Sequence, residues 1–266
     1  MSPIAPTPWQ SVVDSPAAGD HVVQMYRDPQ LLVEVVARYG HQGLVTGEAV
    51  IVIATREHRG TFARRLSALG TDVPACTRRG QYVDLDAEEC LALFMVDGAP
   101  DRERFFGAIT PYLEHVRHAG YERIRLYGEM VELLRPAAFA AAMRLEELWH
   151  ELLETERHPL LCAYHVDTLD RHDGATAVPA IARRHSHVLP ADDADRFELA
   201  VERAFLEVFG TDADTLLLRQ LCERHGALAT TMPTAQAVLL NLDELMPYLG
   251  DAVRAAAAHH YRVGAR

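Results

Sequence analysis

Residues 121–134 read YERIRLYGEMVELL, and the fold turns on how they are read. Ile124, Leu126 and Tyr127 present apolar groups with Arg123 and Arg125 between them, and the run then meets Gly128 and Glu129. A short apolar run stopped by a glycine reads as a strand of an α/β sheet. In open sheets of that class the ligand crevice lies beyond the carboxyl ends of the strands, where Gly128 and Glu129 fall. A carboxylate there suits a metal–nucleotide contact or a hydrogen bond to a ligand. It equally suits the start of the next helix, whose positive dipole end it complements.

Outward from this stretch, strands and helices alternate. HVVQMY (21–26), AVIVIAT (49–55), residues 81–84 and LLCAY (160–164) read as further strands, the second apolar throughout as in a strand buried on both faces. Asp28 and Pro29 suit a helix start, and the apolar spacing predicts a helix over 30–42 that Gly43 ends. Further helices are predicted over 59–69, 87–94, 102–119 and 136–154, with a turn at 97–101 and a last short strand at Val188 and Leu189. This order implies a doubly wound, mainly parallel sheet with right-handed crossovers. Four prolines in residues 1–19 suggest a flexible leader. Beyond Pro190 the pattern is helical only, so residues 191–266 are expected to form an all-helical module and residues 20–190 the sheet domain.

The composition, 49% hydrophobic and 24% charged, is that of a globular chain. A net charge of −12 does not suggest a nucleic-acid-binding surface. Lysine is absent, so no phosphate-binding lysine of the P-loop type exists. The four cysteines are widely spaced, which suits free thiols in a reducing cytoplasm. Neither a signal peptide nor a membrane span is apparent, and a cytoplasmic location is expected. The 14 histidines include the pairs His115/His118 and His185/His187, but no third ligand follows either at a recognisable spacing. No metal and no cofactor are therefore expected.

The pieces HVVQMYRD, GLVTGEAVIVIAT, FMVDGAPDRERF, RIRLYGEMVELL, LEELWHELL and LLCAY occur in this order between His21 and Tyr164. In that order the chain resembles the MEDS family, a sensory domain named from methanogen and methylotroph proteins and a dichloromethane-dehalogenase regulator. The family is considered a degenerate relative of the RecA/KaiC ATPases. The resemblance therefore implies a RecA/KaiC-like sheet in which Tyr26–Leu32 stands at the phosphate loop and LYGEM at the Walker B strand. YRDPQLL carries no glycine, no lysine and no hydroxyl of a phosphate loop, so ATP hydrolysis is not expected.

The resemblance also implies that the vacated nucleotide crevice senses a small organic molecule. Tyr26, Arg27 and Glu129 are its expected lining, Arg27 with a guanidinium fork for an anion. His21, Arg56, Cys162 and Tyr164 also stand near strand ends, and for these four packing or capping duty is the simpler expectation. Three functions follow: a non-catalytic sensor signalling through a homodimer or a regulatory protein partner, a residual nucleotide binder or enzyme lacking a P-loop, and a ligand-free adaptor of a kinase or transcription regulator. In the first, Phe197, Phe205 and Phe209 are expected to anchor the protein contact.

Overall fold

The computed structural model describes residues 8–135, 137–190, 193–211, 213–224 and 232–263. The first element is α1 (Pro8–Asp14), inside the segment expected to be a flexible leader. It is held because Val13 is buried and Asp14 forms a two-pronged ion pair with Arg38, each bond 2.6 Å. Strand β1 (His21–Tyr26) passes through Arg27 and Asp28 alone into α2 (Pro29–Val45). The expected stop at Gly43 is not observed: α2 continues to Val45. A Cβ at Gly43 would lie 2.7 Å from Arg125 Cδ, so this glycine clears a path for a buried arginine.

Next come β2 (Ala49–Ala54), α3 (Arg56–Ala68), α4 (Val73–Arg78), β3 (Tyr82–Asp86) and α5 (Ala87–Phe94). The short α4 was not expected; Asp72 caps it by accepting from Ala75 N at 2.9 Å. The expected turn at 97–101 is the bend of a small hairpin, β4 (Met95–Val96) with β5 (Ala99–Pro100). Asp101 then caps α6 (Arg102–His118) through Arg104 N at 2.9 Å. After β6 (Ile124–Gly128) comes a short helix that was not expected, α7 (Met130–Leu134), then α8 (Phe139–Glu156), which stands where a helix was expected over 136–154, and β7 (Leu160–His165).

The remaining elements are α9 (Arg171–Ala175), α10 (Ala177–Ala182), β8 (His187–Val188), α11 (Ala194–Phe209), α12 (Ala213–Arg224), α13 (Thr234–Leu245) and α14 (Pro247–Val263). The main sheet has six strands in the order β3-β2-β6-β7-β1-β8. Strand β2 pairs in parallel with β3 and β6, and β6 with β7. The chain therefore has the doubly wound α/β architecture with C-terminal helices. All six residues of β2 and all five of β6 are buried, as a central parallel strand requires. Among the described residues no helix is long and apolar enough to cross a membrane.

By their packing the described residues form two units: 8–22 with 29–164, and 23–28 with 165–263. In the first, Phe62, Phe94, Phe105 and Trp149 are core side chains, and Phe105 meets Trp149 edge-on at 5.1 Å. Arg125 is 2% exposed and ion-paired to buried Glu48, and it donates to the carbonyls of Val13, Asp14 and Tyr39 at 3.0–3.2 Å. An isolated buried charge is costly, and these partners are what make the position tenable. The alternation in RIRLY put Arg125 between apolar neighbours; the inward face it occupies is built around this ion pair.

In the second unit, Leu189 N donates to Val23 O at 2.9 Å, joining the end of β8 to β1. The domain boundary expected near Pro190 lies inside this unit. Its helical core gathers Phe197, Val201, Phe205, Leu239 and Val253. Phe197 and Phe205, expected as interface anchors, are 3% and 1% exposed, because their side of α11 is the one that packs in this core. Phe209 is partly buried against the same cluster. Large apolar side chains left exposed in this unit include Leu216, Leu217 and Leu221 of α12, with Leu199, Tyr248, Leu249 and Val263.

Candidate functional site

The register of the first unit sets Ile53 of β2 opposite Gly128 of β6. The residues just past those strand ends, Thr55 and Glu129, are therefore brought together. Glu129 is 4% exposed, and three donors satisfy its carboxylate. Thr55 N donates to Oε1 at 2.6 Å, the Tyr127 hydroxyl to Oε2 at 2.8 Å, and His58 Nδ1 lies 2.7 Å from Oε2. Glu129 stands at the N-cap position of α7, but its side chain makes no capping bond there. It turns instead to the N-terminus of α3, whose cap is Thr55. The expected place of Glu129 just beyond a strand end is observed, with its carboxylate buried there.

His58 is partly buried, with about a fifth of its side chain (22%) accessible. The hydrogen bond to Glu129 raises its pKa above the ordinary histidine value, against the opposing effect of burial. A buried carboxylate on Nδ1 fixes the ring and favours the protonated form. Sequence reasoning singled out Glu129 but missed His58 and Tyr127. The signal for His58 lay in its position: third residue after Thr55, in the first turn of a helix leaving the same strand ends.

A second cluster lies deep in the first unit. His21 at the start of β1, Cys162 of β7 and Glu146 of α8 are all 3% exposed or less. His21 Nε2 is 3.3 Å from Cys162 Sγ and 3.3 Å from Glu146 Oε2, and the Tyr164 hydroxyl donates to Glu146 Oε1. Burial, and then the Glu146 charge, push the Cys162 thiol well above its usual range; the Tyr164 phenol is raised by the same two causes. Three of the expected site residues, His21, Cys162 and Tyr164, thus meet one another, through a glutamate that the sequence reading did not single out.

Arg56 is the exposed first residue of α3. Tyr26 and Arg27 belong to the second unit. There the Tyr26 ring lies 5.3 Å from that of His165, and Arg27 pairs with Asp167 at 3.3 Å and sits 4.8 Å above the Tyr261 ring. A cavity of about 610 Å³ opens in the first unit beside β3, lined by Val73, Tyr82, Asp84, Tyr112 and His115 among others. None of the expected site residues lines it.

Among known proteins, a family model described as MEDS, the methanogen/methylotroph, DcmR sensory domain, matches residues 20–181, more than half of the chain. No curated protein matches it. The chain belongs to the MEDS family of sensory domains.

Proposed function

We propose that this MEDS-family chain is a non-catalytic sensor that reads a small oxygen-bearing organic molecule at the carboxyl ends of β2 and β6. The observation that carries this reading is the His58–Glu129 pair. A buried carboxylate with every oxygen engaged holds an accessible imidazolium, whose outward N–H is a directional donor for a carboxylate, carbonyl or hydroxyl group. Glu129 then positions the reading group and does not itself meet the ligand.

Two residues, Arg27 and Asp28, separate β1 from α2, and α2 begins at Pro29, which has no backbone N–H. A phosphate loop needs a longer glycine-rich turn of convergent N–H groups, and this favours a sensor over an ATPase in a RecA/KaiC-like sheet. Output passes to a second copy or to a regulatory protein partner. A ligand moves that output only as far as its affinity differs between two conformations.

The test is calorimetric titration of the full chain with formate, acetate, pyruvate, methanol and ethanol. Saturable binding by at least one of them, weakened tenfold or more in His58→Gln, supports the reading. Binding that is equal in His58→Gln, or no binding by any of the five, contradicts it.

A further inference from the structure

The geometry points to a metal site in the first unit: a divalent ion of the zinc class held by His21 Nε2, Cys162 Sγ and Glu146 Oε2. This site is independent of the His58–Glu129 reading. The separations fit the ion. With metal–ligand distances of about 2.0–2.3 Å and tetrahedral angles, ligand atoms on neighbouring corners lie roughly 3.3–3.6 Å apart. Nε2 lies 3.3 Å from Sγ and 3.3 Å from Oε2, and the ligand atoms all fall within 4.8 Å of one another.

The arrangement around Nε2 also fits an ion better than hydrogen bonds alone. An imidazole nitrogen carries one proton or one lone pair, and so serves one close neighbour well. Here the same nitrogen has two, one sulfur and one oxygen. A cation at the common centre accepts all three donors at once.

The donor set selects the metal. Calcium and magnesium require oxygen ligands, whereas imidazole, thiolate and carboxylate together suit zinc or cobalt(II). The Tyr164 hydroxyl engages the other Glu146 oxygen, Oε1, and so orients Oε2 towards the ion, the usual work of an outer hydrogen bond in metal sites. An ion here would clasp the start of β1, the middle of α8 and β7, and its binding energy would add to folding energy.

The experiment is cobalt(II) substitution of the full chain after chelator dialysis, read by absorption and by thermal unfolding. The expected result is a thiolate-to-cobalt charge-transfer band with tetrahedral ligand-field bands that saturate at one ion per chain, and a rise in melting temperature with added cobalt or zinc. Both are lost in Cys162→Ser and kept in Cys90→Ser, whose thiol lies elsewhere in the same unit. Should Cys162→Ser not fold, His21→Gln makes the comparison, with the ligand-field bands lost or shifted. Absence of the band from the wild-type chain, or its persistence unchanged in the variant used, overturns the assignment and leaves a hydrogen-bonded cluster only.

Discussion

His58 Nδ1 lies 2.7 Å from Glu129 Oε2, which ties the first turn of α3 to the residue that follows β6. The two residues are 71 apart in the chain, and the parallel pairing of β2 with β6 is what brings them within reach. The burial and the exposure are divided between them. Glu129 is enclosed and fully engaged, while His58 keeps one edge accessible.

This division gives a pH dependence with a definite sign. The folded pKa of His58 is raised by its hydrogen bond to Glu129. Its contribution to stability is therefore full below the unfolded histidine value of about 6.5 and is lost as pH rises through the higher folded value. The stability difference between the wild-type chain and His58→Gln, from urea unfolding, should be largest in mildly acidic buffer and should shrink above neutral pH. A gap that grows with pH would mean that Glu129 does not hold the imidazolium.

Glu129→Gln should cost about 1–3 kcal/mol, the range for leaving buried hydrogen-bond groups unmatched. An amide places N–H where Thr55 N or Tyr127 OH already donates, so one donor loses its acceptor. Chemical denaturation measures this directly. A change within about 0.5 kcal/mol, as for a surface residue, would show that the carboxylate is not held as described.

Arg125→Ala should be among the most disruptive single changes, at about 3–5 kcal/mol, because it removes the buried partner of the Glu48 carboxylate and leaves it the exposed Arg123. Gly43→Ala acts on the same place from the other side, since its methyl would lie 2.7 Å from Arg125 Cδ. Overpacking of that kind costs about 1–3 kcal/mol. Equilibrium unfolding of the two variants should rank them in that order.

Phe205→Ala should destabilise the chain by about 3–5 kcal/mol, as expected for an aromatic removed from a core, because its ring is 1% exposed within the helical cluster. Light scattering of the folded variant should show the same oligomeric state as the wild-type chain. A change of assembly with unchanged stability would return Phe205 to an interface role.

The strands were the most legible part of the chain. AVIVIAT and LLCAY announce themselves as apolar runs, and β1, β2, β6 and β7 occupy the expected positions. Less legible were features set by tertiary contact. Gly43 looks like a helix stop in sequence, yet it lies within α2 because Arg125 passes over it. The helix α4, six residues long, has no room for a periodic pattern. At the site, Glu129 could be found because it follows a strand and a glycine. His58 could be found only by asking what else starts at the same sheet edge. The His21–Glu146–Cys162 cluster had no local signature at all: His21 and Cys162 are 141 residues apart, and no ligand spacing spans such a distance.

The most direct measurement of the sensing account is nitrogen-detected NMR of the histidine rings in the full chain during titration with the tightest binder among formate, acetate, pyruvate, methanol and ethanol. The account predicts that the His58 Nε2 resonance moves in step with saturation, and that the binding is weakened when His58 is replaced by Gln. Saturable binding that leaves the His58 ring resonances in place would contradict it.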